Sequence, residues 1–385
     1  MTTPILIPVT LPADKQTPTN SIIHDIITPF LPREWPSVDP STLAISPHST
    51  STNTCYTVQR PPPTAGRPLT EPLAVFIKLH NPATTSTPTD IDIFAHLVPS
   101  KQEEVALCAE FAQTGHGAKV HGFFRTLDGT AGRVDEFLDA RTLEPEDVED
   151  RTIRAETARA MAEFHALRAE QLVGKEVGLF YDALVGGLKK FCGMERLKVL
   201  GKEAGAGVDE LVGHDFAEGV VRVVERLEGV GARTGWCVHD VQYLNVLVRN
   251  NPVEGESKVA LVDFEFAMRN YRGFDIGGHF MQKMFKWFDE GSKIANCREY
   301  TKEEKRHFCD EYAERWNALT GDEDTGHQVF VEAEYGYLLA IAFDFHNMLC
   351  FMSDGGGKDP LDLLGLNKLF EVYIAQCASL GLDVS

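Results

Sequence analysis

The chain has 385 residues, with 57 acidic against 37 basic side chains and a formal net charge of −20. Apolar residues at 43% and charged residues at 24% exclude a disordered, fibrous or collagenous chain, and at roughly 150 residues per domain the length points to two lobes. Such an acidic surface repels nucleic acid and anionic membrane and favours cationic partners, so no nucleic-acid partner is expected.

Residues 1–40 are rich in Pro and Thr and read as a loose arm followed by a short amphipathic helix within Ile22 to Leu31. From Thr42 to Val58 the order is apolar, polar, apolar, which predicts strand, loop, strand, with the loop over Ser46 to Thr54. Residues 60–72 are a Pro-rich loop, Leu73 to Leu79 (LAVFIKL) is a strand, and residues 81–100 are a Thr/Pro linker with a short segment. Lys101 to Phe111 reads as a helix, and Val120 to Arg125 and Gly132 to Leu138 as two further strands.

Helical spacing then dominates. A long amphipathic helix is expected over Glu146 to Arg168 and another over Val208 to Leu227. Asn245 to Arg249 and Val259 to Asp263 flank the turn-prone NNPVEGES and predict a β-hairpin. Helices follow near 276–290, 302–318, 327–352 and 361–380, the last two separated by Gly355, Gly356 and Gly357. The expected fold class is α+β in two lobes: a β-rich lobe over 1–138 with an N-terminal arm, and a mainly helical lobe over 139–385, with a cleft between them.

The eight cysteines have irregular spacing, form no CxxC pair and in several cases sit in apolar runs, as in Trp236-Cys237-Val238. They read as free thiols of a reducing compartment. The N-terminal apolar run lacks a basic flank and is interrupted by Pro4, Pro8 and Pro12, so it does not read as a signal peptide. No stretch of 18 apolar residues predicts a membrane span, and a cytoplasmic location is expected.

The chemistry concentrates in Gly235 to Phe280. Asp240 precedes Asn245 by five residues, and Asp263 ends the second hairpin strand 23 residues after Asp240. A hairpin brings its outer ends together, so these three side chains can converge. Two carboxylates and an amide oxygen are hard ligands suited to Mg²⁺ and to phosphate chemistry. Phosphoryl transfer needs such a set: one group to orient or deprotonate the attacking hydroxyl and two to hold metal.

Val262-Asp263-Phe264-Glu265-Phe266 and the run from Asn270 to Phe280 (NYRGFDIGGHF) resemble motifs of the choline/ethanolamine kinase family, which shares a protein-kinase-like fold with aminoglycoside phosphotransferases. Weaker likeness extends from about Thr42 to about Leu380, including Val134 to Leu138 and the Ala-rich stretch Ala158 to His165. By that resemblance Asp240 is the catalytic carboxylate, Asn245 and Asp263 hold Mg²⁺, and Glu265 assists the metal indirectly or faces the acceptor. Lys78 would neutralise the phosphates of ATP with Glu104 as its helix partner and Glu103 as the alternative; a solvated edge-strand lysine is the competing reading of Lys78. Asn53 would belong to the nucleotide-covering loop, and Glu136, within the connector Asp135 to Phe137, would face the adenine.

The chain also departs from the family pattern. Val238 replaces a His two residues before Asp240, with His239 at the next position, and the covering loop Ser46 to Asn53 has no glycine. A Trp-Gly-x-Trp signature falls on Phe345-His346-Asn347-Met348, and a Glu after the His-Phe pair becomes Gln282; Trp287 keeps its aromatic character. Trp287, Phe345, Met348, Gln282 and Glu265 are the candidate acceptor contacts, with plain helix core as the alternative for Phe345 and Met348. Loss of two indoles predicts a weaker preference for choline. The resemblance implies ATP-dependent phosphorylation of a small cationic amino alcohol, choline or ethanolamine first, and allows a homodimer. A same-fold kinase for another amine or amino sugar, or a catalytically silent binding module, remain the alternatives. No HExxH or paired-His spacing suggests zinc, and no GxSxG elbow suggests a hydrolase.

Overall fold

A computed structural model describes residues 3–12, 17–49, 53–63, 69–80, 93–170, 172, 174–191, 194–203, 209–353 and 360–382. The first lobe contains β1 (Ile5–Leu6), α1 (Asn20–Ile27), β2 (Ala44–Ser49), β3 (Asn53–Gln59), β4 (Ala74–His80), α2 (Lys101–Phe111), β5 (Val120–Arg125) and β6 (Ala131–Glu136). Its six strands form one sheet in the order β1-β5-β6-β4-β3-β2. The arm is not wholly loose. β1 runs parallel to β5, and the Ile7 N–H donates to the Arg125 carbonyl at 2.9 Å, so the arm satisfies an otherwise open sheet edge.

Thr19 caps α1, which lays Ile23, Ile26 and Ile27 with Trp35 on the apolar face of the sheet. The polar run expected as a loop pairs further than its composition suggests: β2 and β3 stay in register out to Ser49 opposite Thr54. Pro47 is tolerated because β2 is the outermost strand, where a missing N–H costs no ladder bond. Residues 50–52 of that predicted loop lie outside the described residues. A reciprocal cap between Ser100 and Glu103 starts α2, which buries Glu104 beneath the sheet.

The second part begins with β7 (Ala140–Thr142) and α3 (Arg151–His165). This helix starts later than expected, because Asp150 accepts the N–H groups of Thr152 and Ile153 and fixes its first turn there. Next come α4 (Val177–Lys189), α5 (Glu195–Glu203), α6 (Asp209–Gly213) and α7 (Phe216–Gly229). The helix expected over Val208 to Leu227 is split, since Asp215 caps a new start at Phe216; α4 and α5 fill a stretch where no element was expected. β8 (Thr234–Cys237) leads to the predicted hairpin, β9 (Val246–Arg249) and β10 (Val259–Leu261), antiparallel with Leu261 opposite Val246. β11 (Met268–Tyr271) pairs back on β8. Then come α8 (Arg272–Gln282), α9 (Lys302–Thr320), α10 (Gly326–Ser353) and α11 (Pro360–Ser379); the expected break at Gly355 to Gly357 lies outside the described residues.

The crossing of α8 and α10 sets the geometry of the lobe. A Cβ on Gly277 would lie 2.2 Å from the Tyr337 nitrogen, and one on Gly336 would lie 1.8 Å from the Gly273 carbonyl oxygen. Only glycine lets the two backbones approach this closely. Fully buried Arg272 locks the crossing through paired bonds of 2.7 Å to both Glu332 oxygens. No helix among the described residues is long and apolar enough to cross a membrane, and the seven described cysteines form no disulfide.

Candidate active site

The loop after β8 is shaped by a residue from α8. Asp275, fully buried, accepts the N–H of Val238 at 2.5 Å and that of His239 at 3.0 Å, and meets His165 Nε2 at 3.1 Å. Burial opposes its charge, but the His165 hydrogen bond and the surrounding donors hold its pKa below the usual carboxylate range. His239 has φ of 64°, a left-handed conformation uncommon without glycine, and turns its ring inward against Phe180 and Phe274. His239 therefore supports the loop from behind and does not face the cleft. Asp275 likewise turns inward and adds no charge to the cleft.

Asp240 follows at the cleft surface. Asn245 donates through Nδ2 to its carbonyl at 3.0 Å and to its Oδ2 at 2.9 Å, and Gln242 Nε2 donates to the same oxygen at 2.9 Å. The Asn245 carbonyl accepts from the Val262 N–H at 3.0 Å, which ties the loop to the hairpin. Burial pushes the Asp240 carboxyl up to about 6; the hydrogen bond from Gln242 opposes the shift and the Asp263 charge adds to it. A carboxylate tuned in this way can accept a proton near neutral pH.

Asp263 has φ of 65° and meets Lys78 Nζ at 2.7 Å. Lys78 is 4% exposed, so the solvated-strand reading fails. Glu104, not Glu103, is the helix carboxylate beside it: Lys78 Nζ lies 3.6 Å from Glu104, while Glu103 is spent on capping α2. Arg133 and Lys101 also reach Glu104, at 3.1 and 2.9 Å. Burial works against the Glu104 charge, yet Lys78, Arg133 and Lys101 together hold it far below the carboxylate range; Lys78, opposed by burial and raised by Glu104 and Asp263, stays protonated. Arg133 was not singled out from the sequence. Its alternation on β6 gave no sign that it would join a buried ion-pair network with Asp135 at 2.6 Å.

Asn53 and Glu265 meet across the cleft, Nδ2 to Oε2 at 3.1 Å, and Lys101 lies 3.5 Å from the same Glu265 oxygen. This corrects the acceptor assignment of Glu265: it sits at the small-lobe side, where the sheet and α2 close on the hairpin. Glu136 ends β6, with its N–H donated to the Lys119 carbonyl at 2.7 Å.

On the opposite side a cleft of about 260 Å³ is lined by Gln242, Tyr243, Gln282 and Trp287 among others. The Phe285 and Trp287 rings stack within it, 4.9 Å apart. Phe345 is a correction. It is fully buried among Phe216, Phe370 and Tyr373, and no acceptor could reach its face. Met348 is half-buried and packs against the same core. The residue of α10 that reaches the site is Asp344, whose Oδ2 accepts from Gln282 Nε2 at 3.1 Å. It was missed because α10 is apolar on nearly every side, so periodicity does not single out the face turned to the cleft.

The chain matches a family model described as choline/ethanolamine kinase over residues 49–344. It belongs to the choline/ethanolamine kinase family. It is similar to a probable choline kinase 3 of Arabidopsis thaliana, 26% identical over 55% of this chain and 56% of that protein. Choline kinase alpha of Mus musculus is 28% identical over 54% of this chain and 45% of that protein. A probable ethanolamine kinase of Arabidopsis thaliana is 28% identical over 62% and 56%. The chain thus spans about half the length of the curated relatives it matches. Among solved structures, a choline kinase from Cryptosporidium parvum matches with a TM-score of 0.65 at 16% identity, covering 94% of this chain and 96% of that one. An ethanolamine kinase of Plasmodium vivax matches with a TM-score of 0.59 at 17% identity, covering 94% and 93%. These likenesses show a shared two-lobe, kinase-like fold.

Proposed function

We propose that the chain is an ATP-dependent phosphotransferase acting on the hydroxyl of a small amino alcohol, with choline and ethanolamine as the leading acceptors. One observation carries this reading. The family's expected catalytic and phosphate-side groups form two neighbouring pairs, Lys78 with Asp263 at 2.7 Å and Asn245 with Asp240 at 2.9 Å, joined by the Val262 N–H donating to the Asn245 carbonyl at 3.0 Å. Family membership supports the reaction class. We place the lobe boundary near residue 138, where the six-stranded sheet ends, and a cytoplasmic setting agrees with the free thiols.

In this reading Asp240 accepts the proton of the acceptor hydroxyl as its oxygen attacks the γ-phosphorus, and ADP departs. Lys78, held by Glu104, neutralises charge on the ATP phosphates; Asn53 and the backbone about Glu136 line the nucleotide side. Asn245 and Asp263 fit a hard cation. The Asn245 amide nitrogen is spent on Asp240, which leaves its oxygen as the available donor beside a carboxylate. Mg²⁺ held there would neutralise phosphate charge. Trp287 and Gln282 line the acceptor cleft.

The test is ATP consumption over choline, ethanolamine, dimethylethanolamine, serine and amino sugars, with wild type and Asp240→Asn. Turnover with an amino alcohol that falls at least about 100-fold in the variant is the expected result. Absence of turnover with every acceptor would leave a silent module, and preferential use of a neutral sugar would exclude the amino-alcohol reading.

A further inference from the structure

Asp344 stands at an unusual point of α10. Its neighbours on either side face apolar surroundings: Phe343 packs on Phe94, Phe180 and Phe274, and Phe345 on Phe216. Between them a carboxylate is half-buried beside the catalytic loop. Its hydrogen bond comes from Gln282, a neutral amide that lines the acceptor cleft. Burial, and then the nearby Asp240 charge, push its carboxyl up to about 7; the Gln282 bond opposes this, and no basic group among the described residues counters it. The Gln282 and Gln242 amides both line the cleft, and each donates to a carboxylate, Asp344 and Asp240 respectively.

Among the described residues no basic side chain pairs with Asp344 or Asp240; Lys286, which lines the cleft, lies 3.2 Å from Glu144. Two carboxylates repel each other in a partly dehydrated site, and a positive charge between them would relieve that repulsion. The chemistry of that charge matters. A carboxylate gains most from N–H donors, through short charge-assisted hydrogen bonds. A quaternary ammonium has no N–H and is held chiefly by ring faces. Here Phe345 is buried away from the cleft and one face of Trp287 is stacked on Phe285, which leaves Tyr243, Phe288 and the other Trp287 face as the ring surfaces of the lining.

We propose that Asp344 is the specificity-determining residue for the acceptor, binding its ammonium and selecting a primary or secondary amine over a quaternary one. This rests on the phosphotransferase reading for its kinetic test but not for its binding test. The place of the positive charge in the site is thus set by α10, with Gln282 of α8 holding the carboxylate in position.

The experiment compares ethanolamine and choline in wild type, Asp344→Asn and Asp344→Glu, by kcat/KM and by calorimetric binding in the presence of a non-hydrolysable ATP analogue and Mg²⁺. Wild type should prefer ethanolamine. Asp344→Asn should lower ethanolamine kcat/KM by about 10- to 100-fold, mainly through KM, and change choline by less than about threefold. Asp344→Glu should retain part of the preference. The ratio of the two acceptors is read within each variant, so a general loss of folded protein cancels. Transfer with an unchanged ratio in Asp344→Asn overturns the role of Asp344 and leaves the proposed function standing. Amine binding that depends on Asp344 without transfer upholds the role and overturns the proposed function. Neither transfer nor amine binding overturns both.

Discussion

Replacing Asp275 by Asn should uncouple the catalytic loop from the core. The carboxylate accepts two backbone N–H groups, from Val238 and His239, and meets His165 Nε2. The Asn side chain has nearly the same shape but keeps one acceptor oxygen and presents an NH₂ in place of the other. One of its three partners is then left facing a donor. A hydrogen bond to a charged group is worth about 1.5–3 kcal/mol, and a buried donor left unpaired costs about 1–3 kcal/mol, so the expected destabilisation is about 3–5 kcal/mol. With roughly 2 cal/mol/K of unfolding entropy per residue, that corresponds to a fall in Tm of about 5 °C for a chain of this length. The kinetic effect should be larger in proportion. His239 is held at φ of 64°, immediately before Asp240, and releasing its N–H lets the loop relax towards commoner backbone angles. We expect kcat for the best amino-alcohol acceptor to fall at least about 100-fold while ATP affinity changes little, because Lys78 and Glu104 lie on the other lobe. Differential scanning calorimetry and steady-state kinetics on the same preparation give both readouts. A Tm within about 1 °C of wild type together with a kcat within about threefold would refute the reasoning.

Lys78→Ala should raise the KM for ATP about tenfold or more and lower kcat, while Lys78→Arg should be milder because it keeps a positive charge beside Asp263 and Glu104; an unchanged KM in Lys78→Ala would remove this lysine from the phosphate site. Gly277→Ala should destabilise the chain by about 3 kcal/mol, since the added Cβ would sit 2.2 Å from the Tyr337 nitrogen and force α8 from α10. The same variant should raise the acceptor KM, because Gln282 and Asp344 meet at that crossing. Wild-type stability by urea titration would show that the helices can separate without cost.

Much of the site was legible because its parts lie on local structures. Asp240, Asn245 and Asp263 are joined by a short loop and a hairpin, and a hairpin's register follows from its turn and its alternating strands. Lys78 and Glu104 were placed by the family resemblance, with Glu103 left open, on a strand and a helix that the local pattern itself predicts. The polar β2–β3 pair was harder to read. Ser, Thr and His on an outer strand look like a loop until the partner strand supplies the hydrogen bonds.

The amino-acid sequence by itself determined the two-lobe α+β plan, the family motifs and the chemistry of the central carboxylates. Only the tertiary structure decided which way three groups face. Asp275 turns inward to hold the loop. Glu265 closes on Asn53 at the small-lobe side. On α10 the ring of Phe345 belongs to the core, and Asp344 is the residue that meets Gln282 of the cleft lining. The reason is physical: a helix apolar on nearly every side has no periodic signal for its functional face, and that face is set by how closely Gly273, Gly277 and Gly336 let α8 and α10 approach.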